Sequence, residues 1–156
     1  YDLKLSYPGY ETLVQQVDIP AARVMPRSFT LAKVSRALYD TAYTYELKKD
    51  WKRALESYDE FIKKYSDSED ANQAIYRKGH IQLFYLKDTA GALESFSALI
   101  KRYPDSMTRA EAYFGIARTY KEMGKEAMVK QTLSVLTEQF PSEVATEEAK
   151  NYFKVQ

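Results

Sequence analysis

Cysteine is missing from all 156 residues. Disulfides, thiolate metal sites and cysteine nucleophiles are therefore excluded. There is one histidine, His80, so a histidine-based triad would rest on it alone; it reads as a packed, hydrogen-bonded core residue. Glycine and proline number five each, too few for long disordered stretches. Neither sign of charge dominates: 23 Lys and Arg face 22 Asp and Glu, a net charge of +1. Such a balance gives no general pull toward nucleic acid or an anionic surface. No run of about 18 apolar residues exists, so nothing reads as a transmembrane helix. A glycine-rich phosphate loop and a zinc-binding helix motif are also lacking. The carboxylate pairs Glu46/Asp50 and Asp67/Glu69 fall at helix ends, where they serve orphan amides and the helix dipole. The sequence thus offers no catalytic residues, no metal site and no cofactor site, and it does not read as an enzyme. Beginning at Tyr1 rather than Met, it reads as a processed or trimmed piece, with room for an export signal upstream.

What the sequence does contain is self-similarity. Ala54 to Ser68 returns 38 residues later as Ala92 to Ser106, with nine of fifteen positions identical. A weaker third copy runs from Leu133 to Ser142. Tyr39, Tyr76 and Tyr113 are spaced by 37, as are Pro104 and Pro141. A period of this length marks a repeat array.

Hydrophobic spacing supplies the units. Ser28 is a candidate cap for a helix carrying Leu31, Val34, Leu38, Ala42 and Tyr45. Asp50 caps a second helix with Trp51, Ala54, Leu55, Tyr58, Phe61, Ile62 and Tyr65 on one broad stripe. The plan repeats with Ala71 to Leu86, then Ala92 to Tyr103, which Pro104 stops. A third pass runs from Ala110 to Tyr120, across Gly124, and on to Phe140. Pro141-Ser142 opens a last helix with Val144, Ala149 and Tyr152. Its free face is polar, as a capping helix requires. Residues 1–27 read differently: Tyr7-Pro8-Gly9 is a turn, and Pro20 and Pro26 forbid one uninterrupted helix. They are expected to form an irregular N-terminal arm, packed on the array or lying in a groove as a strap. The division is 1–27 for the arm and 28–156 for the helical domain, with units 28–67, 68–105 and 106–141 and a cap at 142–154.

The pattern resembles the tetratricopeptide repeats: a large aromatic early, small residues in mid-repeat and a closing proline. Ala92, Phe96 and Pro104 stand where that pattern wants its Ala, its aromatic and its Pro. Ala54 and Tyr58 do so in the first unit, with Ser66 in place of the proline. His80, Leu83 and Val129 depart from it. The endings Phe61 to Ser68, Leu99 to Ser106 and Leu136 to Ser142 look like those of the TolA-binding and BamD-like outer-membrane lipoprotein group. The resemblance covers about residues 37–154.

It implies an all-α helix-turn-helix solenoid of about three repeats plus a C-terminal capping helix. It also implies a non-catalytic scaffold of the bacterial envelope, periplasmic or outer-membrane associated, with a cytoplasmic site as the alternative. The concave face, lined by the first helix of each pair, would take a protein or peptide partner. Counted from the periodic tyrosines, that face carries Asp40 and Thr44, then Arg77, Ile81, Phe84 and Tyr85, then Phe114, Arg118 and Lys121. Aromatics among Arg and Lys suit a segment with apolar anchors and carboxylates. Two other roles are compatible: a structural subunit using the convex face and arm, self-association included, or an accessory domain of a larger protein. Ala92→Trp is expected to unfold the array, and charge reversal at Arg77 with Arg118 to leave melting nearly unchanged. Basic and acidic residues alternate along the helices, which argues against nucleic acid.

Overall fold

The computed structural model describes residues 2–5, 13–16, 34–68 and 70–154. Its helices are α1 (Val34–Leu47), α2 (Trp51–Lys64), α3 (Ala71–Phe84), α4 (Thr89–Arg102), α5 (Arg109–Glu122), α6 (Glu126–Gln139) and α7 (Val144–Phe153). They run as three antiparallel-type pairs followed by a single closing helix, an all-α solenoid. None is long and apolar enough to cross a membrane. Ser28 and Leu31, expected in the first helix, lie outside the described residues.

One expectation needs correcting within the N-terminal 27 residues. Asp2–Leu5 (β1) and Leu13–Gln16 (β2) form an antiparallel hairpin in the register Leu3 to Gln15 and Lys4 to Val14. The arm is therefore not wholly irregular. Asp2–Leu5 alternates polar and apolar residues, but Leu13–Gln16 does not, so the pair carries only a short and partial strand signal. The expected turn at Tyr7-Pro8-Gly9 lies between the strands, outside the described residues.

Each helix pair is closed by its turn chemistry. After α1, Lys49 enters the left-handed region at φ 58°, its N–H bonding Glu46 and the Asp50 N–H bonding Tyr45. That is the Schellman arrangement. Gly124 closes α5 in the same way at φ 69°, and Lys87, φ 57°, turns the chain after α3. Asp50 and Asp88 then cap α2 and α4, accepting from the N–H groups of Arg53 and Gly91.

Packing links the pairs into an array. Tyr39 and Ala42 of α1 bury against Ala54, Tyr58 and Phe61 of α2 and Ala71, Ala74 and Ile81 of α3. The opposite side of α3 gives Ile75 and Leu83 to a second core with Ala92, Phe96 and Leu99 of α4 and Ala112 and Ile116 of α5. Ala110 and Ala117 of α5 then join Val129, Leu133 and Leu136 of α6 and Ala145 and Ala149 of α7. Each core takes three helices, so no pair buries its apolar face alone. Phe96 fills the middle core because Gly79 and Gly115 make room for it. A Cβ on either would come within 2.8 Å or 2.7 Å of its ring.

Polar bonds tie successive unit ends. The Tyr103 hydroxyl donates to the Ser66 carbonyl, 37 residues earlier. Asn72 Nδ2 donates to the Ser106 hydroxyl at 2.8 Å.

Candidate partner-binding site

The first helices of the units, α1, α3 and α5, and Tyr85 at the end of α3 carry the residues singled out in the sequence, and the structure divides them into three groups.

The first group neutralises itself. Asp40 is exposed but paired with Arg36 Nε at 3.0 Å, and Arg36 also reaches Asp70 at 3.2 Å. The Thr44 hydroxyl donates to the Asp40 carbonyl at 2.7 Å, one turn back on α1. Arg77 donates from Nη1 to Glu46 Oε1 at 2.7 Å, and the Tyr58 hydroxyl donates to Glu46 Oε2 at 2.7 Å. The Arg77 guanidinium also lies 4.4 Å from the Tyr43 ring centroid. Burial works against its charge, but Glu46 and the neighbouring tyrosines outweigh that and hold it more firmly protonated. Burial, reinforced by Glu46, pushes the Tyr58 hydroxyl well above the ordinary tyrosine value. Arg77 is thus a structural cation between the first two units. Glu46, expected to serve a helix end, is its counter-ion instead.

Two residues leave the candidate face. Ile81 has no exposed surface and belongs to the first core, so no partner can touch it. Helical counting put it on the open side; α3 packs on two neighbours, and little of it stays open. Tyr85 lies just past the end of α3 and stacks on Trp51, with centroids 3.9 Å apart and rings 10° from parallel. It belongs to the edge formed by the helix-pair turns.

The remaining four converge. Arg118 of α5 sits over Phe84 of α3 at 4.2 Å and over Phe114 of α5 at 5.5 Å. It also faces Tyr152 of α7 at 4.8 Å. Lys121, one turn on, faces Phe153 at 5.2 Å and Tyr152 at 5.5 Å. Tyr152 and Phe153 meet edge to face at 4.9 Å. Neither cation forms an ion pair among the described residues. Ring faces hold the two side chains in place while leaving their N–H donors for an acceptor from outside.

Tyr152 and Phe153 were not counted as site residues, because α7 read only as a cap. The available signal was an adjacent aromatic pair on a helix whose other exposed positions are mostly polar. His80 packs against Phe84 with centroids at 4.4 Å. Burial lowers its pKa, and the nearby Arg118 and Arg77 act the same way while Glu46 opposes. Its surroundings are rings, and no hydrogen bond from its side chain appears among the described residues. No cluster of three or more metal-ligating side chains occurs among the described residues.

Comparison with known proteins bears on the fold. A family model described as tetratricopeptide repeat matches three times, at residues 36–68, 73–106 and 111–142. No curated protein matches. Among solved structures, one described as "MamA RS-1 ArsTM double mutant" superposes with a TM-score of 0.56 at 19% identity, covering 78% of this chain. The chain spans 66% of that structure's length, just short of two thirds. At this identity the likeness concerns the fold.

Proposed function

We propose, because the chain belongs to the tetratricopeptide repeat family, that it is a non-catalytic protein–protein interaction scaffold. Its partner is an acidic segment with apolar anchors, laid across the first-helix face at α3, α5 and α7. The observation that carries this reading is Arg118. It is stacked among Phe84, Phe114 and Tyr152 and has no carboxylate partner among the described residues. A cation held by ring faces loses little side-chain freedom when a carboxylate arrives, so more of the interaction energy remains as affinity. Lys121 adds a second positive charge one turn away, and Phe84, Phe114, Tyr152 and Phe153 offer the apolar surroundings. Asp40, Thr44 and Arg77 are engaged with neighbours within the first two units and offer this partner no free charge.

The scaffold works in the bacterial envelope, in the periplasm or at the outer membrane. That assignment rests on the unit endings at Tyr65 to Ser68, Tyr103 to Ser106 and Phe140 to Ser142. Affinity capture from an envelope fraction, wild type beside Arg118→Gln with Lys121→Gln, tests both parts. A partner retained by wild type and lost by the double variant supports the site. Partners held equally by both proteins remove it, and capture only from a cytoplasmic fraction removes the location.

A further inference from the structure

We infer that the edge of the array formed by the α1–α2 and α3–α4 turns docks on an anionic lipid surface. This edge is separate from the Arg118 site. It begins with a conformational choice. One residue in the turn after each first helix takes a left-handed backbone, and the third unit uses Gly124 there. The first two units use Lys49 and Lys87, at φ 58° and 57°. Glycine adopts that conformation freely, whereas lysine carries a steric penalty. Lysine takes this conformation once more at Lys154, which closes α7 at φ 55°, so it is the recurrence at equivalent turns together with the surroundings, and not the strain alone, that points to a use for the side chains.

The surroundings indicate which use. Lys48, Lys49, Lys52 and Lys87 are all exposed, and none forms an ion pair among the described residues. The carboxylates of the same turns are engaged: Asp50 and Asp88 cap α2 and α4, and Asp50 also meets Arg53 at 3.4 Å. A net positive edge results on a chain whose total charge is nearly zero. Apolar side chains stand among the lysines. Leu47 is 66% exposed, Tyr85 50% and Leu86 43%. The Trp51–Tyr85 stack joins the two turns into one surface.

Lysine with Trp, Tyr and Leu is the composition of a membrane interface. The rings sit at headgroup depth, the leucines reach the acyl boundary and the ammonium groups meet lipid phosphates. An acidic protein partner fits less well. Protein interfaces are depleted of lysine and favour arginine, and the one arginine here, Arg53, is paired.

Trp51 is the only tryptophan of the chain, so its fluorescence reports on this edge alone. The experiment titrates the protein with phosphatidylglycerol–phosphatidylcholine vesicles and with pure phosphatidylcholine vesicles, reading co-sedimentation and Trp51 emission. Partition to the anionic vesicles with a blue shift is expected, falling steeply with salt. Lys49→Gly with Lys87→Gly relieves both strained positions, so its melting midpoint should equal or exceed wild type. Its vesicle affinity should drop on the order of tenfold or more, since each lysine near an anionic surface is worth about fivefold. Leu47→Ser with Leu86→Ser should weaken binding and reduce the blue shift, while capture through the Arg118 site stays intact. Equal binding to both vesicle types, equal binding by the glycine variant, or no emission change would overturn the inference. The last result is also what an edge built for an acidic protein would give.

Discussion

Glu46 decides how the first two units lock. Its carboxylate is 15% exposed and serves two donors from different helices, the α2 Tyr58 hydroxyl and the α3 Arg77 guanidinium. A half-buried carboxylate is tolerated only because both oxygens are matched. The expectation that reversing Arg77 leaves melting unchanged therefore does not survive. Arg77→Glu sets a second carboxylate against the first and leaves Glu46 with the Tyr58 hydroxyl as its one remaining donor of the two. The cost should lie between the roughly 1 kcal/mol of an exposed pair and the roughly 3–5 kcal/mol of breaking a buried one. At about 2–4 °C per kcal/mol for a chain of this length, a clear fall in the thermal midpoint is expected. Glu46→Gln with Arg77 kept should lose less, because the amide still accepts one bond. An Arg77→Glu midpoint within about 2 °C of wild type would refute the lock.

Between helices, the decisive contact is Phe96 against two glycines. Alanine at position 115 gains helix propensity of about 1 kcal/mol over glycine. Its Cβ, however, would stand 2.7 Å from the Phe96 ring, and retreat is blocked on the other side by Gly79. Overpacking of this kind costs about 1–3 kcal/mol, so the clash should win and Gly115→Ala should unfold at lower urea. Adding Phe96→Leu should recover part of the loss. If Gly115→Ala is as stable as wild type, the ring has freedom that these contacts deny. The same geometry supports the expectation for Ala92→Trp, since Ala92 is wholly buried in that core. Much of this was legible beforehand. The 37-residue spacing, the small residues in mid-repeat and the cap at Asp50 are local signals, and local signals set helices and their order. The pairing of Glu46 with Arg77, 31 residues apart, is not local, and neither is the passage of the Phe96 ring between α3 and α5. Ile81 was misplaced for a related reason. Helical period gives the angle of a side chain around its own helix but not which neighbours will cover that angle.

Across the whole molecule, stability should run along the array rather than through a single centre. Each core belongs to three neighbouring helices and none spans the chain, so the stability of a unit depends on the unit beside it. The closing helix α7 is then both a lid on the third core and a wall of the proposed partner site. It supplies buried Ala145 and Ala149 to that core, and a buried Thr146 hydroxyl that donates to the Phe140 carbonyl at 2.6 Å. It also supplies Tyr152 and Phe153 to the cations of α5. A chain ending at Ser142 loses both roles. Amide exchange should accelerate in α5 and α6, while α1 and α2, two interfaces away, keep their protection. Partner capture should fall further than melting does, since the Arg118 side chain loses the Tyr152 ring. By contrast, Tyr152→Ala in the untruncated chain should reduce capture with α5 and α6 still protected. Uniform acceleration through all helices after the truncation would mean that the array unfolds as one cooperative block, and that the unit-by-unit account of its stability is wrong.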